Sequence, residues 1–407
     1  MSAPAMTSSA PAGSPRVRVA VATGGRFHSF DLARELDRLG ALACIHTGYP
    51  RFKLRDTGID PRRVRTFPWL TTPYMALVRW PQLPRWVERE LAWLATCALD
   101  RRFARLIASG SVACNVVSAL SGGGLAIGRA AKARGIAYVC DRGSSHIEVQ
   151  DRLLREEYGS LGMHWPGVDP RVIDRERAEY DLADAITLPS GFAVDSFLGQ
   201  GVARTKLHLV PYGANLERFH RICARDQEFR VLFVGSLSVR KGIHHLLQGF
   251  ARARLSNARL VLVGGISVEG NELLRRFPVE RLELTGHLGW DGVAREMSRA
   301  SVLVLPSIED GFGLVLCQAL ACECPIIATT NTGGPDLVQG EDVGYVVPIR
   351  NADAIADRLT RLHDSPDLLA AKSAAALHRV RGMGGWEAYG RRSLDLFQRL
   401  AAGRGTQ

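Results

Sequence analysis

Short, mainly apolar runs along this chain alternate with longer stretches in which apolar residues recur at helical spacing. The first unit consists of the apolar run Val17 to Ala22, the amphipathic stretch His28 to Leu39 and the run Ala41 to Ile45. Short apolar runs predict buried strands, and a spacing of three or four residues predicts a helix. The order strand, helix, strand is typical of an α/β protein with a parallel sheet.

The same alternation continues in two series of apolar runs, which the turn-forming cluster Pro211 to Asn215 separates. The first series comprises Val112 to Ser118, Ile136 to Cys140, Ala185 to Leu188 and Leu207 to Val210; the second comprises Arg230 to Val234, Arg259 to Val263, Glu283 to Thr285, Val302 to Leu305, Pro325 to Ala328 and Gly344 to Val347. Each series predicts one doubly wound domain, and the turn cluster predicts a hinge. We therefore expect a disordered tail over residues 1–16, domains over 17–215 and 216–385, and a final helix within 386–403.

Composition restricts the class of protein. The chain has 407 residues, of which 46% are hydrophobic, so it can bury large cores. No run of about 18 apolar residues occurs, and the Ser/Ala/Pro-rich opening has no apolar segment typical of an export signal. The eight cysteines include no pair with the two-residue gap of zinc or redox sites. These patterns predict a cytoplasmic protein with reduced, mostly buried thiols.

The net charge of +11 is concentrated in one part of the chain. Between Arg51 and Arg105 there are twelve Arg and Lys residues and five Asp and Glu residues, which gives a net charge of +7. The same window contains the tryptophans Trp69, Trp80, Trp86 and Trp93. Arginine interleaved with tryptophan favours contact with an anionic membrane, on which the protein would be peripheral at the inner face. A solvated basic face over buried tryptophans is the alternative; no nucleic-acid-binding motif accompanies the charge, so we expect no nucleic-acid partner.

Candidate chemistry is concentrated in residues 305–325. A predicted strand, Ser301 to Leu305, leads into an acidic, glycine-rich loop and then into a predicted helix, Leu314 to Ala321. The loop contains the residues Glu309, Asp310, Gly311, Phe312 and Gly313. Ligands of open α/β sheets bind at the carboxyl ends of strands, and helix N-termini present free N–H groups to anions. We therefore expect the N–H groups of Phe312, Gly313 and Leu314 to face an anionic ligand such as a phosphate.

This segment resembles the donor-sugar motif of the family 4 retaining glycosyltransferases. The family carries an acidic residue before Gly-Phe-Gly and a glutamate after a gap of seven residues, and Asp310 and Gln318 occupy these positions here. In the family, the first touches the hydroxyls of the donor sugar and the second accepts hydrogen bonds from the ribose hydroxyls. Asp310 is one methylene shorter than glutamate, so Glu309 could share or take over its role. Gln318 lacks the charge of a carboxylate and would bind more weakly.

The resemblance implies the GT-B architecture, in which two doubly wound Rossmann-like domains face a cleft. It implies an acceptor-binding N-terminal domain, a nucleotide-sugar-binding C-terminal domain, and a last helix that crosses back to the first domain. It also implies transfer of a hexose from a nucleotide-diphosphate sugar to a glycan or lipid-linked acceptor in cell-surface polysaccharide or glycolipid synthesis. A nucleotide-sugar epimerase or phosphorylase and a non-catalytic sugar-nucleotide-binding protein are the alternatives.

A second glycine-rich loop carries the candidate cations. Gly235 follows an apolar run, and Arg240 and Lys241 precede an amphipathic stretch, as in the family's diphosphate-binding segment. The family often places an arginine where this chain has Ser236. Cations at a helix start oppose the helix dipole and need an anionic partner, which favours a diphosphate over two solvated side chains.

Further candidates follow other predicted strands. The donor-binding candidates in such loops are Gly24, Gly25, Gly264, Gly265 and His287. The catalytic candidate is His146, with Asp141 as its alternative. Relatives carry a catalytic or sugar-contacting histidine near the position of His146, although a loop histidine is often an ordinary polar residue. Asp310 could likewise be only a helix N-cap. Glu323 stands where the family commonly has glycine, so a positive φ there would imply strain.

The resemblance implies a mechanism without an enzyme nucleophile. The acceptor hydroxyl attacks from the face that the phosphate leaves, and the departing diphosphate takes the proton. Fixed cations and helix N-termini stabilise the charge of the leaving group. No Asp-x-Asp metal motif follows a predicted strand. We therefore expect neither a metal nor a cofactor, with the nucleotide-diphosphate sugar as the donor substrate.

Overall fold

The structure is a computed structural model that describes residues 17–77 and 84–404. The predicted tail over residues 1–16 and Trp80 lie outside the described residues. Within them the chain forms thirteen strands and fifteen α-helices, with short 3-10 turns between some of them.

The strands are β1 Val19–Thr23, β2 Leu42–Thr47, β3 Val64–Thr66, β4 Val116–Leu120, β5 Ala137–Asp141, β6 Ala185–Leu188, β7 Leu207–Leu209, β8 Phe229–Val234, β9 Ala258–Val263, β10 Leu282–Gly286, β11 Val302–Leu305, β12 Ile326–Thr329 and β13 Gly344–Val347. The helices are α1 His28–Arg38, α2 Pro68–Leu77, α3 Arg85–Ala108, α4 Leu125–Ala133, α5 Ile147–Ser160, α6 Pro170–Leu182, α7 Gly191–Leu198, α8 Ile243–Ala253, α9 Val268–Arg276, α10 Trp290–Arg299, α11 Leu314–Ala321, α12 Gly334–Leu337, α13 Ala352–His363, α14 Pro366–Gly382 and α15 Gly385–Ala402.

These strands form two parallel sheets. The seven-stranded sheet has the order β3-β2-β1-β4-β5-β6-β7, and the six-stranded sheet has the order β10-β9-β8-β11-β12-β13. In both sheets the strand order reverses once, between β1 and β4 in the first and between β8 and β11 in the second. The predicted α/β fold with two doubly wound sheets is therefore confirmed.

Burial explains why the strands are continuous apolar runs. All residues of β1, β5, β6, β11 and β12 are buried, as expected for parallel strands that helices cover on both faces. Helix α8 instead shows the amphipathic pattern, with Ile243, Leu246, Leu247 and Phe250 buried. The core of the second sheet thus sits between its strands and such helix faces.

The described residues divide into two compact units. One comprises the residues up to Val139 together with the segment from Arg392; the other is Cys140–Arg391 and contains the whole six-stranded sheet. The predicted domain boundaries at residues 215 and 385, and the hinge at Pro211 to Asn215, stay predictions.

Two local predictions need correction. The strand predicted over Val112 to Ser118 is β4, Val116–Leu120, and the segment before it includes Asn115, whose Oδ1 accepts a hydrogen bond from the Arg18 N–H at 2.8 Å. The break predicted at Gly382 to Gly385 spans only Met383 and Gly384, because α14 continues to Gly382 and α15 begins at Gly385. No helix in the described ranges is long and apolar enough to cross a membrane.

Candidate functional site

The candidate site lies where the strand order of the six-stranded sheet reverses. Strands β8 and β11 are neighbours there, with Val302 beside Val231 and Leu303 beside Leu232. The chain leaves β8 through residues 235–242 into α8, and it leaves β11 through residues 306–313 into α11. Such a reversal opens a crevice at the carboxyl ends of the two strands, with helix N-termini directed at it.

Lys241 and Asp310 face each other across these two loops. The Lys241 Nζ donates a hydrogen bond to Asp310 Oδ2, and only about 15% of each side chain is exposed. Burial raises the pKa of Asp310, but the charges of Lys241 and Arg240 and the N–H of Phe312 outweigh it and hold that pKa below its usual range. The loops therefore hold an ionised carboxylate against an ammonium group, which is the anionic partner that a cation at this helix start requires.

Arg240 and Glu309 form the second charge pair of the site. The Arg240 Nη1 donates to the backbone oxygen of Glu309 at 3.1 Å and to its Oε2 at 3.3 Å. The Arg240 side chain remains 37% exposed, whereas the Glu309 side chain is fully buried. Arg240 is thus anchored at one end and open to solvent, as a side chain that binds an anionic ligand must be.

Glu309 faces a segment that follows β5 rather than the crevice. Its Oε1 accepts hydrogen bonds from Ser144 Oγ at 2.5 Å, Ser145 Oγ at 2.8 Å and Ser145 N at 3.1 Å. Its Oε2 accepts a hydrogen bond from Gln150 Nε2 at 3.0 Å. Burial raises the pKa of Glu309, but Arg240 and these donors lower it further, so the buried carboxylate is ionised. Glu309 therefore anchors the segment that follows β5, and donor-sugar contact by Asp310 stays a prediction.

Two glycines bring the backbones of these loops into contact. Gly242 precedes α8 with φ of 65°, and a Cβ on it would lie 1.9 Å from the carbonyl oxygen of Pro306. Gly311 is packed as closely, since its Cβ would lie 2.0 Å from the carbonyl oxygen of Gly143. Any larger residue at these positions would force the loops apart.

The remaining residues of the acidic loop lead into α11 and form its N-terminus. Gly313 caps the helix with φ of 79°, and a Cβ there would strike the Leu305 side chain. Phe312 is buried in edge contact with Tyr212, at a centroid distance of 5.5 Å. Its N–H is turned to the Asp310 carboxylate. Leu314 is the first residue of α11 and Gln318 lies half-buried in the second turn.

The predicted glycine loops after β8, β9 and β10 adjoin one another. Gly235 N donates to Val263 O at 2.9 Å, and Gly264 N donates to Gly286 O at 2.8 Å. A Cβ on Gly264 would lie 1.8 Å from the oxygen of Gly235, and both residues have positive φ. Gly265 has open space around its Cα, and His287 is exposed directly after β10. Their donor-binding roles stay predictions.

His146 and Asp141 lie in the same unit but are buried. His146 caps α5, where its Nδ1 accepts a hydrogen bond from Glu148 N at 3.3 Å, and its ring packs between Tyr180 and Phe197. Burial, together with the charges of Arg142 and Arg177, lowers the pKa of His146 to about 4.

Asp141 ends β5 and accepts a hydrogen bond from Thr187 Oγ1 at 2.9 Å. The described contacts account for both side chains by packing and capping, and their catalytic roles stay predictions.

Gly24 and Gly25 belong to the other compact unit. They form the turn after β1, beside the point where the order of the seven-stranded sheet reverses. The neighbouring strand β4 is followed by a second small-residue turn, Ser121 to Gly124, before α4. The sequence analysis missed this turn because it placed the preceding strand too early. Both turns occupy the edge at which a doubly wound sheet binds ligands.

Sequence reasoning proposed His146 in the segment 142–150 but missed the contribution of Arg142, Ser144, Ser145 and Gln150. Arg142 is buried, and it donates to Ser145 O at 2.9 Å, Gln150 Oε1 at 3.0 Å and Glu176 Oε1 at 3.0 Å. It thereby fixes the turn whose hydroxyls hold Glu309. The signal in the sequence was the run of small polar residues directly after a buried strand.

Residues 228–365 match the family model described as glycosyl transferases group 1. This match covers both charged loops, the strands that precede them and the helices that follow. Residues 228–365 of the chain thus belong to the group 1 glycosyltransferases. The family resemblance inferred from the sequence is therefore confirmed.

Two relatives show which sequences this chain is similar to. It is 26% identical over 257 residues to the MMP alpha-(1->4)-mannosyltransferase of Mycolicibacterium hassiacum, covering 61% of this chain and 59% of that protein. It is 26% identical over 242 residues to the GDP-mannose-dependent alpha-(1-6)-phosphatidylinositol monomannoside mannosyltransferase of Mycobacterium tuberculosis, covering 54% and 62%. The alignments thus span about three fifths of each relative.

Solved structures confirm the fold over nearly the whole chain. Sucrose-phosphate synthase from Thermosynechococcus elongatus aligns with a TM-score of 0.71 at 20% identity, covering 95% of this chain and 100% of that chain. HepE of Anabaena, solved with UDP and glucose, aligns with a TM-score of 0.68 at 13% identity, covering 94% and 100%. At these identities the likeness concerns the fold alone.

Proposed function

We propose that this protein transfers a hexose from a nucleoside-diphosphate sugar to a glycan or lipid-linked acceptor, with retention of the anomeric configuration. The observation that carries the proposal is the pair of ionised contacts, Lys241 with Asp310 and Arg240 with Glu309, at the strand reversal of the six-stranded sheet. A ligand with an anionic diphosphate and a hydroxyl-rich sugar suits a crevice that offers two cations and one carboxylate.

The cations are suited to the leaving group. As the anomeric carbon–oxygen bond breaks, negative charge collects on the β-phosphate, and a fixed cation stabilises that charge more than it stabilises the bound donor. The Arg240 side chain is 37% exposed, and Glu309 anchors its guanidinium. Lys241 can share its three donors between Asp310 and a phosphate oxygen.

Retention follows if the acceptor hydroxyl attacks from the face that the diphosphate leaves. A new bond then forms between the acceptor oxygen and the anomeric carbon, and the proton of the hydroxyl passes to the departing diphosphate. Asp310 orients the sugar by accepting hydrogen bonds from its hydroxyls. No protein base is needed, which agrees with the buried, capping position of His146. The cations serve the role that a metal serves in other transferases.

A lipid-linked acceptor is supported by features of the unit that contains residues 17–77. A pocket of about 480 Å³ has the apolar side chains Phe52, Leu54 and Ile59 and the guanidinium groups of Arg51 and Arg55 in its lining. Such a pocket suits an amphiphile with an anionic head. The Mycobacterium tuberculosis relative is named for a phosphatidylinositol monomannoside acceptor. We therefore propose an acceptor of this class and a peripheral association with an anionic membrane.

Thermal unfolding in the presence of nucleotides tests the proposal. We expect UDP, GDP or ADP, or one of their sugars, to raise the melting temperature of the full chain, because a ligand that binds only the folded state stabilises it by mass action. Lys241→Ala should lose most of that shift. It should also lower transfer or donor hydrolysis by at least about a hundredfold, the scale of one transition-state charge donor.

Arg252→Ala is the matched control, because Arg252 pairs with Asp353 in an exposed contact on α8 and lies outside the crevice loops. It should leave both readouts unchanged. Failure of every nucleotide to shift the wild-type protein, or equal activity in wild type and Lys241→Ala, would contradict the proposal.

A further inference from the structure

A cluster of metal-ligating side chains lies outside the crevice. Glu157 stands in the third turn of α5, and His244 and His245 stand in the first turn of α8. The Nε2 atoms of both histidines lie 2.7 Å from the same oxygen, Glu157 Oε1. Neighbouring residues of a helix point about 100° apart, so their convergence on one atom requires both imidazoles to turn toward it.

The three side chains offer the ligand set of a zinc-type ion. One atom from each of the three lies within 4.8 Å of the other two. Zn²⁺ takes imidazole nitrogen and carboxylate oxygen at about 2.0–2.2 Å, which places neighbouring ligand atoms roughly 3.3 Å apart. The observed separations of 2.7 Å need an opening of only about 0.6 Å to admit the ion. Rotations of the side chains alone can supply that opening.

The cluster can supply the ligand forms that a metal ion needs. The carboxylate of Glu157 is hydrogen-bonded to His244, His245 and Arg350. Ligands must be an ionised carboxylate and neutral imidazoles. His244 Nδ1 is buried without a hydrogen-bond partner in the described residues. The imidazole proton can therefore move to Nδ1 when the ion replaces the hydrogen bond between Nε2 and Glu157.

Residues around the cluster complete an outer shell. The Arg350 Nε donates to Glu157 Oε2 at 2.5 Å, which leaves Oε1 directed at the histidines. Arg350 also pairs with Glu156 at 3.2 Å, and the charge of Glu269 acts on His244. Three carboxylates against one guanidinium leave net negative charge for a divalent cation. His245 keeps 14% of its side chain exposed, which gives an ion a path of entry and a position for a water ligand.

We propose that Glu157, His244 and His245 bind one zinc-type divalent ion, which fastens α5 to α8. The ion is structural and separate from the donor crevice, so the expectation of a metal-free transfer step is unaffected. Because α8 begins directly after Lys241 and Gly242, the ion fixes the helix that carries the diphosphate-binding loop. The inference does not depend on the proposed transferase activity.

Zinc titration of the chelator-treated full chain tests this site. We expect a chromophoric chelator in competition to report one Zn²⁺ bound per chain, and zinc to raise the melting temperature. Glu157→Gln and His245→Ala should each weaken binding by at least about 100-fold, and Arg350→Gln by about 10–100-fold, as for an outer-shell residue. His245 is partly exposed, so its variant should fold even if Glu157→Gln does not.

His363→Ala is the matched control, because His363 pairs with a single carboxylate, Asp364, and with Ser256 O. It should bind zinc as the wild type does. The eight free thiols could also capture zinc. Co²⁺ spectra without a thiolate charge-transfer band would assign the ion to nitrogen and oxygen ligands. Wild-type binding weaker than about 10 µM, equal binding in wild type and His245→Ala, or a thiolate band would overturn the proposal.

Discussion

At the scale of single residues, His146 shows how position decides what a titratable group can do. Its imidazole resembles a catalytic group in the sequence, yet the fold uses it to cap α5 and packs it between Tyr180 and Phe197. A base must be reachable by the proton that it accepts. The described contacts of His146 instead stabilise the neutral ring. They lead to a prediction about how the stability of the fold depends on pH.

We predict that His146 makes the folded protein less stable in acid. Burial and the charges of Arg142 and Arg177 lower its pKa to about 4, against about 6.5 in the unfolded chain. Between these values the unfolded chain binds a proton that the folded chain does not, so stability falls as the pH decreases. From pH 7 to pH 5 the free energy of unfolding should drop by about 2 kcal/mol through this group alone.

His146→Asn keeps a capping side chain and removes the titration. Urea unfolding at pH 7, 6 and 5 should give this variant a shallower pH dependence than the wild type. His363→Asn, at a partly exposed histidine outside this cluster, is the control. Parallel curves for wild type and His146→Asn would show that His146 does not carry the effect.

Glu309 is a buried carboxylate whose partners all depend on its charge. We predict that Glu309→Ala lowers the free energy of unfolding by about 3 kcal/mol, because it leaves Arg240 and the donors of Ser144 and Ser145 without their acceptor. Chemical denaturation measures the change. Glu280→Ala, at an exposed turn, should have no measurable effect. A loss no larger than that of the control would mean that the 142–150 segment does not rely on Glu309.

At the scale of elements, the sequence predicted strands best where a fully buried run ends at a glycine or proline. Strands β6, β11 and β13 and helix α11 have the predicted bounds. Strand β3 was missed because it has only three residues and places Arg65 between two others. Strand β4 was predicted early because Val112 is buried without belonging to a strand. Apolar character predicts burial, and only hydrogen bonding to a neighbour makes a strand.

Only those contacts of the candidate site that follow from local sequence pattern and strand order could be predicted. The pairing of Lys241 with Asp310 follows from two loops at neighbouring strand ends, which a doubly wound order brings together. The role of Glu309 does not follow, since Ser144 lies 165 residues away and no periodicity links the two. Glu323 stands where the family commonly has glycine, and its φ of 58° meets the condition under which the sequence implied local strain.

Loop packing in the site gives a prediction at this scale. Gly311→Ala would place a Cβ 2.0 Å from Gly143 O and 2.6 Å from Ser144 Cα, both of which are backbone atoms that cannot rotate away. We expect a loss of about 2 kcal/mol in the free energy of unfolding and weaker nucleotide binding, because Asp310 must move with the loop. Gly382→Ala is the control, since it has open space at the end of α14. Nucleotide binding unchanged by Gly311→Ala would contradict the close packing.

At the scale of the whole molecule, charge and exposed aromatic area are unevenly distributed. The tryptophan surface is defined here by Trp69 and Leu70 on α2 and by Trp86 and Leu94 on α3, two helices that pack together. Trp69 is 76% exposed and Trp86 is 69% exposed. The window that contains them carries a net charge of +7. The alternative of tryptophans buried in the core therefore does not hold for these two.

We predict that the tryptophan surface binds anionic membranes. Cosedimentation with vesicles of phosphatidylglycerol and phosphatidylcholine should exceed that with phosphatidylcholine alone and should decrease with salt, because basic residues attract the charged leaflet within a Debye length. The double variant Trp69→Ser/Trp86→Ser should bind about tenfold less, since indole rings that enter the interface supply the apolar part of the affinity.

Trp290→Ser is the control. It removes another exposed tryptophan, 56% exposed, from the other compact unit and should bind as the wild type does. Equal loss in both variants would mean that exposed indole alone governs adsorption, and no loss in the double variant would leave the basic window as a solvated face.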